Sequence, residues 1–197
     1  MSIRRGCVLC FLFTAVAGMA QQAPAPICDG NPAFTKWRDE DVVYLLTPEE
    51  RKQFSQLQTQ QACVAFIERF WRDRDPNPKT PANEFKLEHY RRIAYANERF
   101  AGTVPGWRSD RGRAYILYGP PDEIESHPSG ITYTRPKEEG GGTTSTHPFE
   151  RWRYRSIPGV ADDIDLEFVD SSRTGDYKFV EVIDARRRSI LQRAPGR

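Results

Sequence analysis

From Arg151 to Phe168 charge and hydrophobe alternate on both sides of a short connection, and few folds satisfy that pattern. Trp152 and Tyr154 are interleaved with Arg151, Arg153 and Arg155, and Ile164, Leu166 and Phe168 with Asp165 and Glu167. Residues two apart share one face of a strand, so the two segments read as an antiparallel hairpin. With residues 157–163 as the connection, the expected register sets Trp152 opposite Phe168, Tyr154 opposite Leu166, Arg153 opposite Glu167 and Arg155 opposite Asp165. One face is then aromatic and demands a cover, while the other is ion-paired and tolerates water.

The cover lies upstream, where the period is helical. Thr47-Pro48-Glu49-Glu50 carries a capping Thr, a Pro at the first helical position and a Glu that can close a capping box. Phe54, Leu57, Val64, Ile67 and Trp71 follow at three- or four-residue steps or their multiples, with Phe66 and Phe70 beside them, and predict a helix from 48 to about 74. A second helix starts after Thr80-Pro81, carries its apolar face through Phe85, Ile93, Ala96 and Phe100, and stops at Gly102. Residues 113–118 show no alternation and read as a strand covered on both faces, halted by Gly119-Pro120-Pro121. Ile131–Thr134 is a further short strand, 135–148 with its glycine run is a mobile loop, and Tyr177–Ile183 is a last strand. Helices first and locally joined strands after them predict an α+β fold, with two N-terminal amphipathic helices packed on a mainly antiparallel sheet of four to five strands. The domain is expected over 41–184, with an extended arm at 21–40 and a basic tail at 185–197.

The first twenty residues address the chain. Arg4 and Arg5 precede an apolar run from Cys7 to Val16, and Gly18 and Ala20 are the small residues of a secretory signal cut after Ala20. The run is about half of the ~20 residues a membrane span requires, so no transmembrane segment is expected after cleavage. Cleavage removes two of the 29 basic residues and none of the 27 acidic ones, leaving a net charge of zero. A neutral chain lacks the electrostatic footprint of a nucleic-acid binder. Cleavage also removes Cys7 and Cys10 and leaves Cys28 and Cys63, an even pair bound for an oxidising compartment and hence an expected disulfide.

Residues able to do chemistry are scattered. In the densest aperiodic segment, 105–112, Gly106 permits a turn, Trp107 can anchor it, and Asp110 can bond backbone N–H groups or pair with Arg111 or Arg113. Two readings stand: a helix-to-strand corner pinned by Trp and an ion pair, or a ligand or partner site to which Asp122 and Glu123 add carboxylates from the far end of the strand. Asp110, Asp122 and Glu123 suit a paired-carboxylate glycosidase only if the fold sets their separation. Glu84, Glu88 and His89, with Asp73 and Asp75, offer metal-ligand types, but Glu88 and His89 are adjacent and point roughly 100° apart on a helix. A solvated face with Glu88–Arg92 pairing is the commoner use of such residues. His127 and His147 lie in Pro/Gly-rich loops and are expected to be exposed. No nucleophile elbow and no phosphate-cradling loop is present, so no catalytic residue, metal or cofactor is assigned. Arginine favours fixed carboxylate pairs, which predicts a network of Arg72, Arg74, Arg91 and Arg92 with Asp73, Asp75 and Glu88.

The segment Gly106-Trp107-Arg108-Ser109-Asp110 is accompanied by Phe70-Trp71, Arg74-Asp75-Pro76, Thr80-Pro81-Ala82-Asn83-Glu84, Tyr90-Arg91-Arg92-Ile93 and a run from Asp110-Arg111-Gly112-Arg113 to Tyr118-Gly119-Pro120-Pro121-Asp122. This composite resembles the GWxTD-domain family of bacterial secreted proteins over about residues 40–182, with Ser109 where the name-giving motif has Thr. The resemblance implies a domain and an envelope location but no reaction. The order of the second half is also similar to small lipoproteins of the outer-membrane assembly machinery, which implies two helices on a three-stranded sheet. The expected function is a secreted or periplasmic, non-enzymatic protein-binding or structural component of the envelope. Gly106, Trp107, Ser109, Asp110, Arg111, Pro121 and Asp122 would line its binding surface, with another envelope or secreted protein as partner. The alternative is a metal- or carboxylate-dependent hydrolase of envelope or extracellular substrates.

Overall fold

Residues 27–40, expected within an extended arm, are helical except for Asn31 in the computed structural model, which describes residues 27–180. The signal-like leader, residues 21–26 and the basic tail lie outside the described residues. Helix α1 (Ile27–Gly30) leads into α2 (Pro32–Lys36) and a π turn at Trp37–Asp41. Asn31 caps α2, its Oδ1 accepting from Ala33 N at 2.9 Å, and Pro32 follows it, the same start grammar as Thr47-Pro48. So short a segment cannot hold a helix alone. Its buried Phe34 and Trp37 pack on Phe54, with ring centroids 6.4 and 5.1 Å apart, and Cys28 is joined to Cys63 by the expected disulfide.

The capping box at Thr47 forms, with Glu50 N donating to Thr47 Oγ1 at 3.1 Å and Thr47 N to Glu50 Oε2 at 3.0 Å. The single helix predicted from there is two: α3 (Pro48–Ser55) and α4 (Gln60–Arg72). Thr59 makes the break, since its Oγ1 caps a new helix by accepting from Ala62 N. The break turns Phe54 and Phe66 onto one core, 5.3 Å between centroids. Helix α5 (Glu84–Arg99) is capped by Asn83, whose Nδ2 also donates to Trp71 O at 2.6 Å.

Residues 113–118 correct the sequence expectation most. They belong to a helix, α6 (Asp110–Tyr118), with Ser109 as cap. A short apolar run covered all round fits a buried helix as well as a buried strand, and periodicity does not separate the two. Gly119 ends α6 at φ +84°, its N–H donating to Tyr115 O at 2.8 Å. With that strand gone, the likeness in order to the outer-membrane lipoproteins loses its first element.

The strands are β1 (Glu123–His127), β2 (Thr132–Thr134), β3 (Thr143–Ser145), β4 (Phe149–Ile157), β5 (Ala161–Val169) and β6 (Lys178–Phe179). They form a four-stranded sheet in the order β1-β4-β5-β6, antiparallel throughout, and a separate β2–β3 hairpin. The fold is therefore α+β with a mainly antiparallel sheet. The 135–148 segment, expected as a loop, supplies β3, with its glycines at positive φ in the turn.

The β4–β5 hairpin pairs Trp152 with Leu166, Tyr154 with Ile164, Arg153 with Asp165 and Arg151 with Glu167, a register two residues from the expected one. Gly159 at φ +73° tightens the connection to Pro158-Gly159-Val160. A slip of two leaves every side chain on its own face, so hydrophobic alternation alone could not detect it.

Two cores result. One lies among α1–α4 around Trp37, Phe54, Phe66 and Phe70, and the other beneath the sheet around Tyr115, Trp152, Tyr154 and Phe168. The helices on the sheet are α5, the second of the predicted pair, and α6. Phe100 lies 5.3 Å and Tyr115 6.5 Å from Trp152, ring to ring. Helix α5 serves both cores, through Tyr90 against Trp71 at one end and Ala96 at the other.

Candidate functional site

The corner between α5 and α6 is built by close backbone approach. Gly106 and Gly112 are both buried, and a Cβ on Gly106 would sit 1.9 Å from Ala96 O, one on Gly112 1.8 Å from Gly106 O. Residues Gly106–Arg108 form a 3-10 turn. Ser109, also buried, donates from Oγ to Gly106 O at 2.8 Å and accepts from Gly112 N at 3.0 Å. The hydroxyl therefore closes the turn and caps the helix together, and Ser supplies it as Thr would.

Trp107 is half-buried, and its backbone is the better held part. Its N–H donates to Asn97 Oδ1 at 2.9 Å, and its carbonyl accepts from Tyr44 OH at 3.1 Å. Asp110 is bound to backbone: its Oδ2 accepts from Phe179 N at 2.8 Å and ties β6 to the start of α6. The ion pair of the corner belongs to Arg111, which is only 9% exposed. Its Nη1 donates to Glu150 Oε1 at 3.0 Å and its Nη2 to Gly175 O at 3.2 Å, while the guanidinium lies 4.0 Å from the Tyr177 ring centre. Arg111 Nε has no partner among the described residues.

Pro121 and Asp122 sit beyond the other end of α6. There Tyr154 OH donates to Gly119 O at 3.0 Å, Asp122 N donates to Arg153 O at 2.9 Å, and Asp122 Oδ2 accepts from Arg155 N at 2.8 Å. The motif residues thus divide into two groups. Asp110 is tied to Phe179, which lies two strands from Glu150 across Phe168, whereas Asp122 is tied to Arg155. Five residues of strand separate Glu150 from Arg155, about 16 Å. That exceeds the roughly 5–9.5 Å a glycosidase carboxylate pair requires.

The other candidate ligands are also placed. Glu88 is held by both Arg91 and Arg92, Nε to carboxylate at 2.7 and 2.8 Å, and their hydrogen bonds lower its pKa to about 2. The expected Glu88–Arg92 pair is present, but Arg74 pairs with Glu50 at 2.8 Å instead of a neighbouring aspartate. His89, next to Glu88, is 4% exposed between Trp71 and Phe85, with Nε2 2.6 Å from Asp41 O. No cluster of three or more metal-ligating side chains occurs among the described residues. His147 is exposed, whereas His127 is half-buried and stacks on Phe149 at 4.6 Å.

Glu150, Asn97, Asp170 and Tyr177 complete the corner and are not among the candidate site residues of the sequence, where Tyr177 is expected only to open the last strand. Asp170 accepts from Gly175 N at 2.7 Å and Thr174 N at 3.1 Å, fixing the turn whose Gly175 carbonyl receives Arg111. Glu150 did leave a signal: it shares parity with Trp152 and Tyr154, so it faces inward and needs a cation. Beside the Arg111–Glu150 pair a cleft of 310 Å³ opens between α5 and the sheet, lined by Tyr95, Glu98, Tyr115 and Ile124. A shallower groove of 730 Å³ separates the β2–β3 hairpin from the outer face of β4 and β5, between Tyr133, Phe149 and Arg151.

Searches of curated proteins and of solved structures return no match. The family model described as the GWxTD domain matches residues 27–174, three quarters of the chain and the whole span from α1 to the turn before β6. The match spans the closed turn at Gly106–Asp110 and its arginine brace, and the chain belongs to the GWxTD-domain family.

Proposed function

We propose that this chain is exported and works in the periplasm or outside the cell as a non-enzymatic binding or structural component of the bacterial envelope, with another envelope or secreted protein as its partner. The observation that carries the non-enzymatic half is the use made of the signature's polar atoms. Ser109, Asp110, Arg111 and Asp122 each bond to the fold itself. Groups held this way brace a scaffold, and what a scaffold offers is its surface. Export is supported by the leader grammar of residues 1–20 and by the joined Cys28 and Cys63, the state expected of cysteines outside the reducing cytosol.

The test is expression of the full chain with a C-terminal tag in a bacterial host, followed by fractionation, N-terminal mass spectrometry, and crosslinked capture from envelope fractions. Export predicts a mature chain beginning at Gln21 with Cys28 and Cys63 oxidised, and the binding reading predicts specific recovery of one or two envelope proteins. An uncleaved chain in the cytosol overturns the first half. Recovery of nothing specific, together with hydrolysis of an envelope polymer by the purified protein, overturns the second in favour of the hydrolase alternative.

A further inference from the structure

We propose that the free edge of β1 receives an extended segment of a partner protein in which basic and apolar side chains alternate; this rests on the protein-binding reading above and names its site. Among the described residues the sheet ends at β1 on one side and β6 on the other. The β6 edge is engaged, since Phe179 N is bonded to Asp110. The β1 edge is exposed from Glu123 to Ser126, and alternate residues of such a strand direct N–H and C=O groups outward, where a further strand can bond them.

The two faces of β1 say what that strand should carry. Glu123 and Glu125 lie on the water face, in register with Arg153 and Arg151. Arg151 is shared between Glu125 and Glu167, at 2.9 Å each, Arg153 leans 3.7 Å from Asp163, and Glu123 makes no ion pair among the described residues. Glu125 is also bonded to His127 at 2.8 Å, so Glu123 is the less engaged of the two acids, and a neighbouring strand on that face meets these two carboxylates first. On the other face Ile124 is 51% exposed at the rim of the 310 Å³ cleft, whose floor includes Trp152. An inward side chain on the added strand would cover Ile124 and lie over the cleft.

A second copy of this chain does not fit. Antiparallel pairing of two β1 strands about Ile124 sets Glu123 against Glu125 twice, and like charges directly opposite are unfavourable. The complementary occupant is a different chain with Lys or Arg at alternate positions.

The probes are three end-blocked nine-residue peptides. One alternates Lys with Val and Tyr, one has the same composition with its lysines grouped, and one replaces Lys by Glu. Binding to the mature protein is followed by fluorescence anisotropy, and the site by amide hydrogen exchange. The expected result is protection of Glu123–His127 by the alternating basic peptide, with the other two peptides at least about tenfold weaker. The E123K/E125K double variant sets Lys opposite Arg153 and Arg151, which should lower its melting temperature slightly without unfolding it, and it should prefer the acidic peptide. Absence of binding, equal binding of grouped and alternating lysines, or protection mapped to the β2–β3 groove overturns the proposal; the first of these leaves the edge glutamates as guards against aggregation. A dimer of the free protein that the double variant disperses makes a second copy the occupant and also overturns it. If the double variant still recovers the same envelope partner as the wild type, the β1 site fails while the protein-binding reading survives.

Discussion

Gly106 and Gly112 show why a single atom matters in this signature. A methyl at either position meets a carbonyl oxygen of the backbone at under 2 Å, and neither carbonyl is free to swing aside, since Ala96 O accepts from Phe100 N at the end of α5 and Gly106 O accepts from Ser109 within the turn. Gly106→Ala and Gly112→Ala should each cost about 3 kcal/mol in urea denaturation, the scale of forced overpacking. Ser109→Ala should cost about 1 kcal/mol, because it removes a helix cap, and Ser109→Thr should retain the cap. For Asp110→Ala the expected loss is about 1–2 kcal/mol through the orphaned Phe179 N–H, with little loss in Asp110→Asn. Unchanged melting of the alanine variant would remove the bracing role. At this scale residue types were legible and partners were not. The sequence shows that Asp110 can accept a backbone N–H, but Phe179 lies 69 positions away and reaches it only through the sheet.

Helix α5 and the β4–β5 hairpin carry the predictions that belong to elements. In α5, burial pushes the His89 imidazole below its ordinary value, and Arg92 pushes the same way, against the opposing pull of the Asp41 carbonyl. The unfolded chain then takes up the proton first, so the stability due to neutral His89 is complete above about pH 6.5. It declines as pH falls from there toward the lowered value. Melting temperatures between pH 7.5 and 5 should fall more for the wild type than for His89→Gln, and parallel profiles would show that His89 does not titrate on unfolding. In the hairpin, a double-mutant cycle should find coupling of about 0.5 kcal/mol between Arg151 and Glu167 and none between Arg153 and Glu167. The reverse would restore the register expected from charge alternation. Elements with caps were well marked in the chain, as the box at Thr47 shows. Ser109 is a cap of the same kind, and it was hidden because the apolar run after it suits a strand equally well.

At the scale of the molecule, the Cys28–Cys63 bridge fastens the short α1–α2 segment to α4 across a sequence separation of 35. Closing a loop of that length is worth roughly 3–4 kcal/mol by chain entropy, so Cys28→Ala should lower stability by about that much and dithiothreitol should have no effect on the variant. The core among α1–α4 should loosen first, since Phe34 and Trp37 reach it from the stapled segment. Sequence by itself determined the α+β class, the faces of β4 and β5, the capping box at Thr47, the cysteine pair and the family, because periodicity, a capping motif, cysteine parity and a composite motif are local or countable properties of the chain. Tertiary structure decided that residues 113–118 are helical, which of two charge-matched registers β4 and β5 adopt, that 27–40 folds, and that Arg111 finds Glu150 and Gly175. Each of those outcomes depends on what covers a segment or lies opposite it. A run of side chains specifies its own periodicity, but only the packed fold supplies its neighbours.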